Sequence, residues 1–221
     1  MPNSTNRNLL IGAVAVLVII ASVVFLLWHH GEGGRLDTRL HRTLGMVLAE
    51  ETAKLVAGST NKTRICVIAL KPKESPAIKL QLDAFAHAVT NLTRAKIKAT
   101  EYVDSSTSDK YGPGGGLSAR RYARVMHNNT NSDVFVSFIG VPEWDKTEFS
   151  HWSNGFPPLV AETRDRKRVK KLFEKGLLKT AIVPRFTYPA EKSSDGNEDR
   201  DHFLRRHQVV TVEDAANMPT E

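Results

Sequence analysis

The chain is poor in cysteine and in recognisable catalytic motifs. Its 221 residues include one cysteine, Cys66, and 7% aromatic residues. A single thiol cannot form an internal disulfide or a cysteine-based zinc site, which excludes both kinds of scaffold. The sequence has no HExxH, no GxSxG nucleophile elbow and no GK[ST] that would end a Walker loop. Lysine and arginine total 31 against 24 acidic residues, and 41% of residues are hydrophobic, so wholesale disorder is also excluded. We therefore expect a globular domain with no cofactor.

Only one uncharged apolar run is long. Residues 9–28 carry no charged side chain, and their number matches the roughly 20 residues that a helix needs to cross a bilayer. The apolar part of a signal peptide is shorter, about 7 to 15 residues, and small residues follow it. Here the run ends in Leu26, Leu27 and Trp28. The run predicts a transmembrane helix after a short polar tail at 1–8, with a cleaved signal peptide and a buried core helix as alternatives.

The side of the membrane on which the rest of the chain lies is less strongly indicated. Arg35, Arg39 and Arg42 follow the apolar run, and positive charge favours the cytoplasmic side. Long domains nevertheless cross largely regardless of their charge. Because a short tail and one long translocated domain is a common arrangement for a lone N-terminal span, we expect the domain to be extracytoplasmic, and periplasmic if the protein is bacterial.

Residues 29–62 are predicted to form a linker and an amphipathic helix. Apolar residues recur at about 3.6-residue spacing as far as residue 57; they are Leu36, Leu40, Leu44, Val47, Leu48, Leu55 and Val56. Such a helix either docks on the following domain or associates with a second copy, and docking is the simpler interpretation.

Residues 63–221 are predicted to form an α/β domain with a mostly parallel, doubly wound sheet. Short apolar runs alternate with helical patterns throughout this part of the chain. The expected strands are 64–70, 96–103, 133–140, 158–161, 180–183 and an edge strand at 208–212. Helices are expected after the caps Ser75 and Ser118 and over 165–175, and residues 191–201 are expected to be a polar surface loop.

Residues 64–89 and 133–143 resemble the strand–helix units in one lobe of type I periplasmic-binding-protein and sugar-receptor domains. The resemblance extends over roughly residues 65–212. It implies that the loop after the first strand and the loop after a later strand face a ligand. That family has two lobes that close on the ligand, whereas this chain is long enough for one.

The carboxyl ends of the strands hold the first candidate ligand site, because ligands of open α/β sheets bind there, where the strand order switches. The candidates follow the first, third and fourth strands; they are Lys71, Lys73 and Ser75, then Gly140, Pro142 and Glu143, then Glu162. The alternative is that they are ordinary turn and capping residues.

A glycine-rich segment at 112–118 is a second candidate, for an anion. It leads into a helix, and amide groups at a helix start attract negative charge. The residues concerned are Gly114, Gly115, Gly116 and Ser118, with Arg120 and Arg121 adding positive charge. The alternative is a flexible connector that ends in a helix cap.

Residues 164–175 form a basic amphipathic pattern. Val169, Leu172 and Phe173 define one face, and the opposite face can contact anionic lipid headgroups through Arg166, Lys167, Lys170 and Lys171. The alternative is a solvated outer face of a sheet-covering helix. Nucleic acid is not an expected partner, since no stacking aromatic residues interrupt the basic run.

No metal site is predicted. Asp195, Asn197, Asp199 and Asp201 alternate as in a calcium loop, but Arg200 and Arg206 stand where that loop needs glycine and glutamate. Cys66 lies within an apolar strand, where a thiol behaves as a small buried hydrophobe.

These patterns favour a single-pass membrane protein whose α/β domain binds a small ligand or a protein partner without catalysis. One alternative is an enzyme that acts on an anionic substrate at the glycine-rich segment, with Arg120 and Arg121 stabilising charge. Another is a structural subunit of an envelope assembly that uses the helix at 36–57 as its contact surface.

Overall fold

A computed structural model describes residues 18–22, 36–57, 63–103, 117–142, 156–185 and 196–218. The chain divides into two compact units, Met1–Asp37 and Thr38–Glu221. In the first unit, residues 18–22 are helical and their side chains are exposed. The rest of the predicted transmembrane segment at 9–28, the tail at 1–8 and residues 29–35 lie outside the described residues. Within the described ranges, no helix has both the length and the apolar character that a membrane crossing requires.

The second unit is built on one six-stranded sheet with the order β2-β1-β3-β4-β5-β6. Strands β1 to β5 pair in parallel, and β6 pairs antiparallel with β5 at the edge. The strands are Arg64–Leu70 (β1), Lys96–Val103 (β2), Val134–Ser137 (β3), Leu159–Glu162 (β4), Thr180–Pro184 (β5) and His207–Thr211 (β6). The predicted α/β class with a mostly parallel sheet is confirmed.

Helices cover both faces of the sheet, as a doubly wound arrangement requires. The helices are Thr38–Val56 (α1), Pro76–Leu92 (α2), Ala119–Asn128 (α3), Arg166–Glu174 (α4) and Glu198–Arg206 (α5), followed by a 3₁₀ helix at Asp214–Asn217. Leu48 of α1, Phe85 of α2 and Phe203 of α5 belong to the hydrophobic core on one face. Tyr122 of α3 and Leu172 of α4 belong to the core on the other face.

Helix α1 docks on the sheet and is part of the compact unit that begins at Thr38. Its predicted apolar stripe is buried: Leu44 is 1% exposed, and Val47 and Leu48 are 0% exposed. A Cβ atom at Gly45 would lie 2.2 Å from the carbonyl oxygen of Gln81 in α2. The two helices can therefore approach this closely only because residue 45 has no side chain.

The prediction of a polar surface loop at 191–201 is wrong for the last four of these residues, which form the first turn of α5. The Asn197 side chain accepts hydrogen bonds from the amides of Asp199 (2.9 Å) and Arg200 (3.2 Å), which caps the helix. Acidic residues in the first turn favour a helix start, and Phe203, 0% exposed, anchors the helix in the core. Phe203 and the partly buried Leu204 are the only apolar residues of this helix. Two adjacent apolar positions in nine residues leave almost no periodic signal in the sequence.

Candidate ligand site at the carboxyl edge of the sheet

The switch in strand order lies between β1 and β3. The chain leaves β1 for β2 on one side and later enters β3 on the other side. The loops at 71–75 and 138–142 therefore flank the position where ligands of open α/β sheets bind.

The loop after β1 is held by its own residues. The Glu74 amide donates to the Lys71 carbonyl oxygen (2.9 Å), and the Lys71 Nζ atom lies 3.8 Å from the Glu74 carboxylate. Ser75 caps α2 as predicted, because its Oγ atom accepts a hydrogen bond from the Ile78 amide at 3.4 Å. Lys73 is exposed. Capping and turn formation are thus observed for these residues, and their contact with a ligand stays a prediction.

The loop after β3 is compact and buried. Gly140 has a positive φ of 80°, which is the left-handed region that favours glycine. The Ser137 hydroxyl donates to the Gly140 carbonyl oxygen at 2.6 Å and so closes the turn. Pro142 is buried, and Glu143 lies outside the described residues. Gly140 thus has a clear structural role, while its predicted ligand role stays a prediction.

Glu162 is the predicted site residue with the most unusual environment. It is the last residue of β4, and its carboxylate oxygen Oε2 is buried with no hydrogen-bond partner among the described residues. The Gln81 side chain is near enough to the Glu162 carboxylate to lower its pKa. The Gln81 Nε2 atom also lies 3.1 Å from His41 Nδ1. Side chains of α1, α2 and β4 therefore meet at the carboxyl end of the sheet.

His207 reaches the same region from β6. Because β6 is antiparallel, its first residue pairs with Pro184 at the end of β5. The His207 ring stacks on Phe203, with ring centroids 5.7 Å apart. Its Nδ1 atom is buried and has no hydrogen-bond partner in the part of the chain that the structure describes.

We call these residues, together with Arg164, the polar cluster: His41, Gln81, Glu162, Arg164 and His207. The members interact electrostatically. Arg164 lowers the pKa of both Glu162 and His207, and His41 also lowers the pKa of His207. Burial raises the pKa of Glu162 to about 7, against the opposing influence of Arg164 and the Gln81 side chain. Burial, with smaller effects of the nearby Arg164, His41 and Arg206, lowers the pKa of His207 to about 4. The imidazole is therefore neutral at pH 7, and Glu162 is close to its midpoint.

Three buried polar atoms of the cluster have no hydrogen-bond partner within the described ranges: Gln81 Oε1, Glu162 Oε2 and His207 Nδ1. Unsatisfied buried polar groups are uncommon in folded proteins, and each one costs free energy of about 1 to 3 kcal/mol. A bound group that donates hydrogen bonds would remove this cost. These unpartnered atoms make the cluster a candidate position for a group that donates hydrogen bonds.

Sequence reasoning found Glu162 but missed the other four residues of the cluster. Gln81 carried a usable signal, because it is 2% exposed and lies on the same face of α2 as the buried Ile78 and Phe85. A polar residue within an apolar stripe indicates a buried partner. His41 and His207 had no such signal, since their proximity depends on the docking of α1 and on the antiparallel direction of β6.

The predicted anion site is described only in part. Gly114, Gly115 and Gly116 lie outside the described residues. Ser118 occupies the cap position of α3 but makes no side-chain capping hydrogen bond. Arg120 is exposed and Arg121 is half-buried. The anion site stays a prediction.

The basic helix α4 has the predicted two faces. Val169, Leu172 and Phe173 are buried against the sheet. Lys167 and Lys171 are exposed, whereas Lys170 is half-buried. Arg166 is half-buried, and its Nη2 atom donates to the Arg185 carbonyl oxygen at 3.3 Å. Lipid contact by these residues stays a prediction.

Neither a family model nor a curated protein sequence matches the chain. Solved structures with a similar fold include sugar-binding proteins. AraP, an arabinose binding protein from Geobacillus stearothermophilus, is 14% identical with a TM-score of 0.53, over 81% of this chain and 63% of that chain. GanP, a glucose-galactose binding protein from the same organism, is 11% identical with a TM-score of 0.51, over 79% and 61%. A sugar-binding protein of a Bacillus halodurans sugar ABC transporter is 14% identical with a TM-score of 0.51, over 80% and 64%.

This chain therefore spans less than two thirds of the length of each of those proteins. At such low identity the likeness shows the fold alone. The periplasmic-binding-protein-like fold that the sequence resemblance implied is confirmed.

Proposed function

We propose that this protein is a single-pass, membrane-anchored protein whose α/β domain lies outside the cytoplasm and binds a small, hydroxyl-rich ligand without catalysis. The observation that carries the proposal is the polar cluster, in which three buried polar atoms lack hydrogen-bond partners at the carboxyl edge of the sheet, within the described residues. Ligands bind at that edge in open α/β sheets.

The atoms of the cluster favour a neutral ligand with several hydroxyl groups. Gln81 Oε1 is an acceptor. Glu162 is close to its midpoint at pH 7, so its carboxyl group accepts when it is ionised and can donate when it is protonated. His207, neutral because its pKa is about 4, offers one acceptor or one donor according to its tautomer. A hydroxyl group both donates and accepts, so a sugar or another polyol satisfies all three positions whatever the tautomer of the imidazole.

The charges of the cluster argue against a strongly charged ligand. The ionised form of Glu162 would repel an anion, and Arg164 would repel a cation. The sugar-binding proteins with a similar fold are in accord with a neutral polyol.

The proposed membrane anchor is supported by the amino-acid sequence. Residues 9–28 are uncharged and long enough to cross a bilayer. If they are the anchor, alkaline extraction should leave the full chain in the membrane and release a variant that lacks residues 1–28. Release of the full chain would refute the anchor and leave the ligand site unaffected.

Thermal unfolding of the full chain in non-ionic detergent tests the ligand. The panel contains D-arabinose, D-glucose, D-galactose and inorganic phosphate. A ligand at 100 times its dissociation constant stabilises the folded state by about 2.7 kcal/mol, so we expect one of the sugars to raise the melting temperature and phosphate to leave it unchanged.

Two variants and a control locate the site. Glu162→Gln and His207→Phe should each abolish the shift, and the second retains a ring that stacks on Phe203. Glu74→Gln, at the same edge but in the loop after β1, should preserve it. No shift with any sugar would refute the proposed ligand class. A shift lost only in the Glu74 variant would place the site in the loop after β1 and refute the polar cluster.

A further inference from the structure

The outer edge of β6 exposes backbone hydrogen-bonding groups in a defined pattern. The Arg185 amide donates to the Arg206 carbonyl oxygen at 2.7 Å, and residues directly opposite each other alternate between bonded and non-bonded pairs in antiparallel strands. The pair Val209 and Ile182 is consequently non-bonded. The Thr163 amide confirms this, because it donates to the Ile182 carbonyl oxygen from the opposite side of β5. The amide and carbonyl groups of Val209 therefore point away from the sheet.

Neighbouring amides along the same edge already have partners. The Thr211 amide donates to the Asp214 carboxylate at 2.8 Å. The His207 amide donates to the Phe203 carbonyl oxygen at the end of α5. Val209 is left as the residue of β6 whose outward amide and carbonyl group both lack a partner within the described ranges. An extended chain laid along this edge could bond to both.

A groove of about 490 Å³ runs along this edge. One wall comes from α1 and α5 and includes Glu51, Lys54 and Arg200, while the other comes from the 3₁₀ helix and the residue after it and includes Asp214 and Met218. The floor is β6 itself, from Gln208 to Thr211. Two walls and a strand edge define a channel for one extended chain, which is the geometry of β-strand addition.

The charges of the groove favour an acidic occupant. Lys54, Arg185 and Arg200 line it together with the carboxylates of Glu51 and Asp214. Asp214 already accepts hydrogen bonds from both the amide and the hydroxyl of Thr211. Lys54 pairs with Glu51, and Arg200 pairs with Glu50. The Lys54 side chain is nevertheless 68% exposed and that of Arg200 is 33% exposed, so each is accessible to a second carboxylate.

We propose that this groove binds an extended segment of a protein partner, which adds a seventh strand to the sheet at Val209 and directs an acidic side chain toward Lys54 and Arg200. A second copy of this chain fits the groove less well, because its own α5 and 3₁₀ helix flank its β6 edge and would enter the same space. The inference is independent of the proposed ligand site.

Selection from a phage-displayed random heptapeptide library against the full chain in detergent tests the inference. We expect peptides that alternate β-branched and polar residues and include an acidic residue. Val209→Pro is the informative variant, since proline removes the outward amide but no bond to β5, and edge strands tolerate proline where the amide faces outward. It should weaken binding of a selected peptide at least tenfold. Val209→Ala, which retains the amide, is the matched control and should change affinity less than threefold.

A second measurement does not depend on how well the proline variant folds. Hydrogen exchange at the Val209 amide of the unmodified chain should be fast alone and slow with a selected peptide. A variant that combines Lys54→Gln and Arg200→Gln should bind the selected peptide more weakly, and its affinity should depend less on salt concentration.

Three outcomes would overturn the inference. One is that no peptide is enriched, or that the enriched peptides bind Val209→Pro and the unmodified chain equally. Another is that the Val209 amide is protected without peptide, which would mean that the chain itself covers the edge. The third is a dimer by light scattering that Val209→Pro dissociates, which would assign the groove to a second copy.

Discussion

Replacing Glu162 with glutamine should uncover a pH dependence of stability that the unmodified protein conceals. Glu162 and His207 belong to the same buried cluster, yet burial shifts their pKa values in opposite directions. The pKa of Glu162 is raised from 4.5 to about 7, and that of His207 is lowered from 6.5 to about 4. In both cases burial is the largest cause, because it disfavours whichever form is charged.

The signs of the two effects are opposite. A raised carboxyl pKa means that the folded chain holds the proton more tightly than the unfolded chain, so this stabilisation is complete below pH 4.5 and is lost as the pH rises to about 7. A lowered imidazole pKa means that the folded chain holds the proton less tightly. That stabilisation is complete above pH 6.5 and is lost as the pH falls to about 4.

The magnitudes are similar, so the two effects largely cancel between pH 4.5 and 6.5. One pKa unit corresponds to 1.36 kcal/mol, which makes the Glu162 contribution about 3 kcal/mol. The His207 contribution is smaller, about 2 kcal/mol, since its ring is only partly buried and solvent screens it.

Urea unfolding at a series of pH values between 4 and 8 tests the reasoning. The free energy of unfolding of the full chain is followed by circular dichroism at 222 nm in non-ionic detergent. Without Glu162, the Glu162→Gln variant should gain about 2 kcal/mol as the pH rises from 4 to 6.5. His207→Phe should instead lose about 3 kcal/mol as the pH rises from 4.5 to 7. Profiles of both variants that run parallel to that of the unmodified chain would show that neither group is buried as the structure places it.

Three further substitutions and reactions follow from the packing. Gly45→Ala should destabilise the fold by about 3 kcal/mol or more in urea unfolding, because its Cβ atom would collide with the Gln81 carbonyl oxygen. Met46→Ala, at an exposed neighbouring position, is the control. Equal losses of stability in the two variants would contradict the close contact between the helices. Asn197→Ala should cost about 1 kcal/mol through loss of the α5 cap, and no loss would contradict the cap. Cys66 should react with a thiol reagent only after unfolding, since burial raises its pKa to about 12; rapid labelling of the native protein would place the thiol at the surface.

The apolar parts of the fold were predictable because the buried faces of helices and strands require apolar residues at regular spacing in the sequence. The continuous apolar run of β1 identifies a buried strand, and the apolar stripe of α2 identifies a helix. Ser75 followed by Pro76 indicates where α2 begins. Alternation of such elements then restricts the sheet to a mostly parallel arrangement. These inferences need only the local chain, which is why the class of fold was predicted correctly.

The polar cluster was less predictable because it depends on contacts between distant parts of the chain. His41 and Gln81 are 40 positions apart, and their nitrogen atoms lie 3.1 Å from each other. Helix α5 was missed for a related reason. Its capping residue and acidic first turn also match a surface loop, and its two apolar residues, Phe203 and Leu204, are adjacent and give no helical period. Polar residues have no periodic signature, so their partners become known only from the fold.

Helix α1 links the polar cluster to the rest of the fold in a way that its sequence does not indicate. Its apolar stripe suggested a connecting helix, yet His41 on its flank contacts Gln81 and acts electrostatically on His207. Arg39 pairs with Glu198 and Asp199, and Glu50 pairs with Arg200, so α1 is bound to α5 as well as to α2. A ligand that bonds to Gln81 and His207 would therefore stabilise the docked position of α1. By linkage, any change that weakens α1 docking, such as Gly45→Ala, should also weaken ligand binding at the cluster.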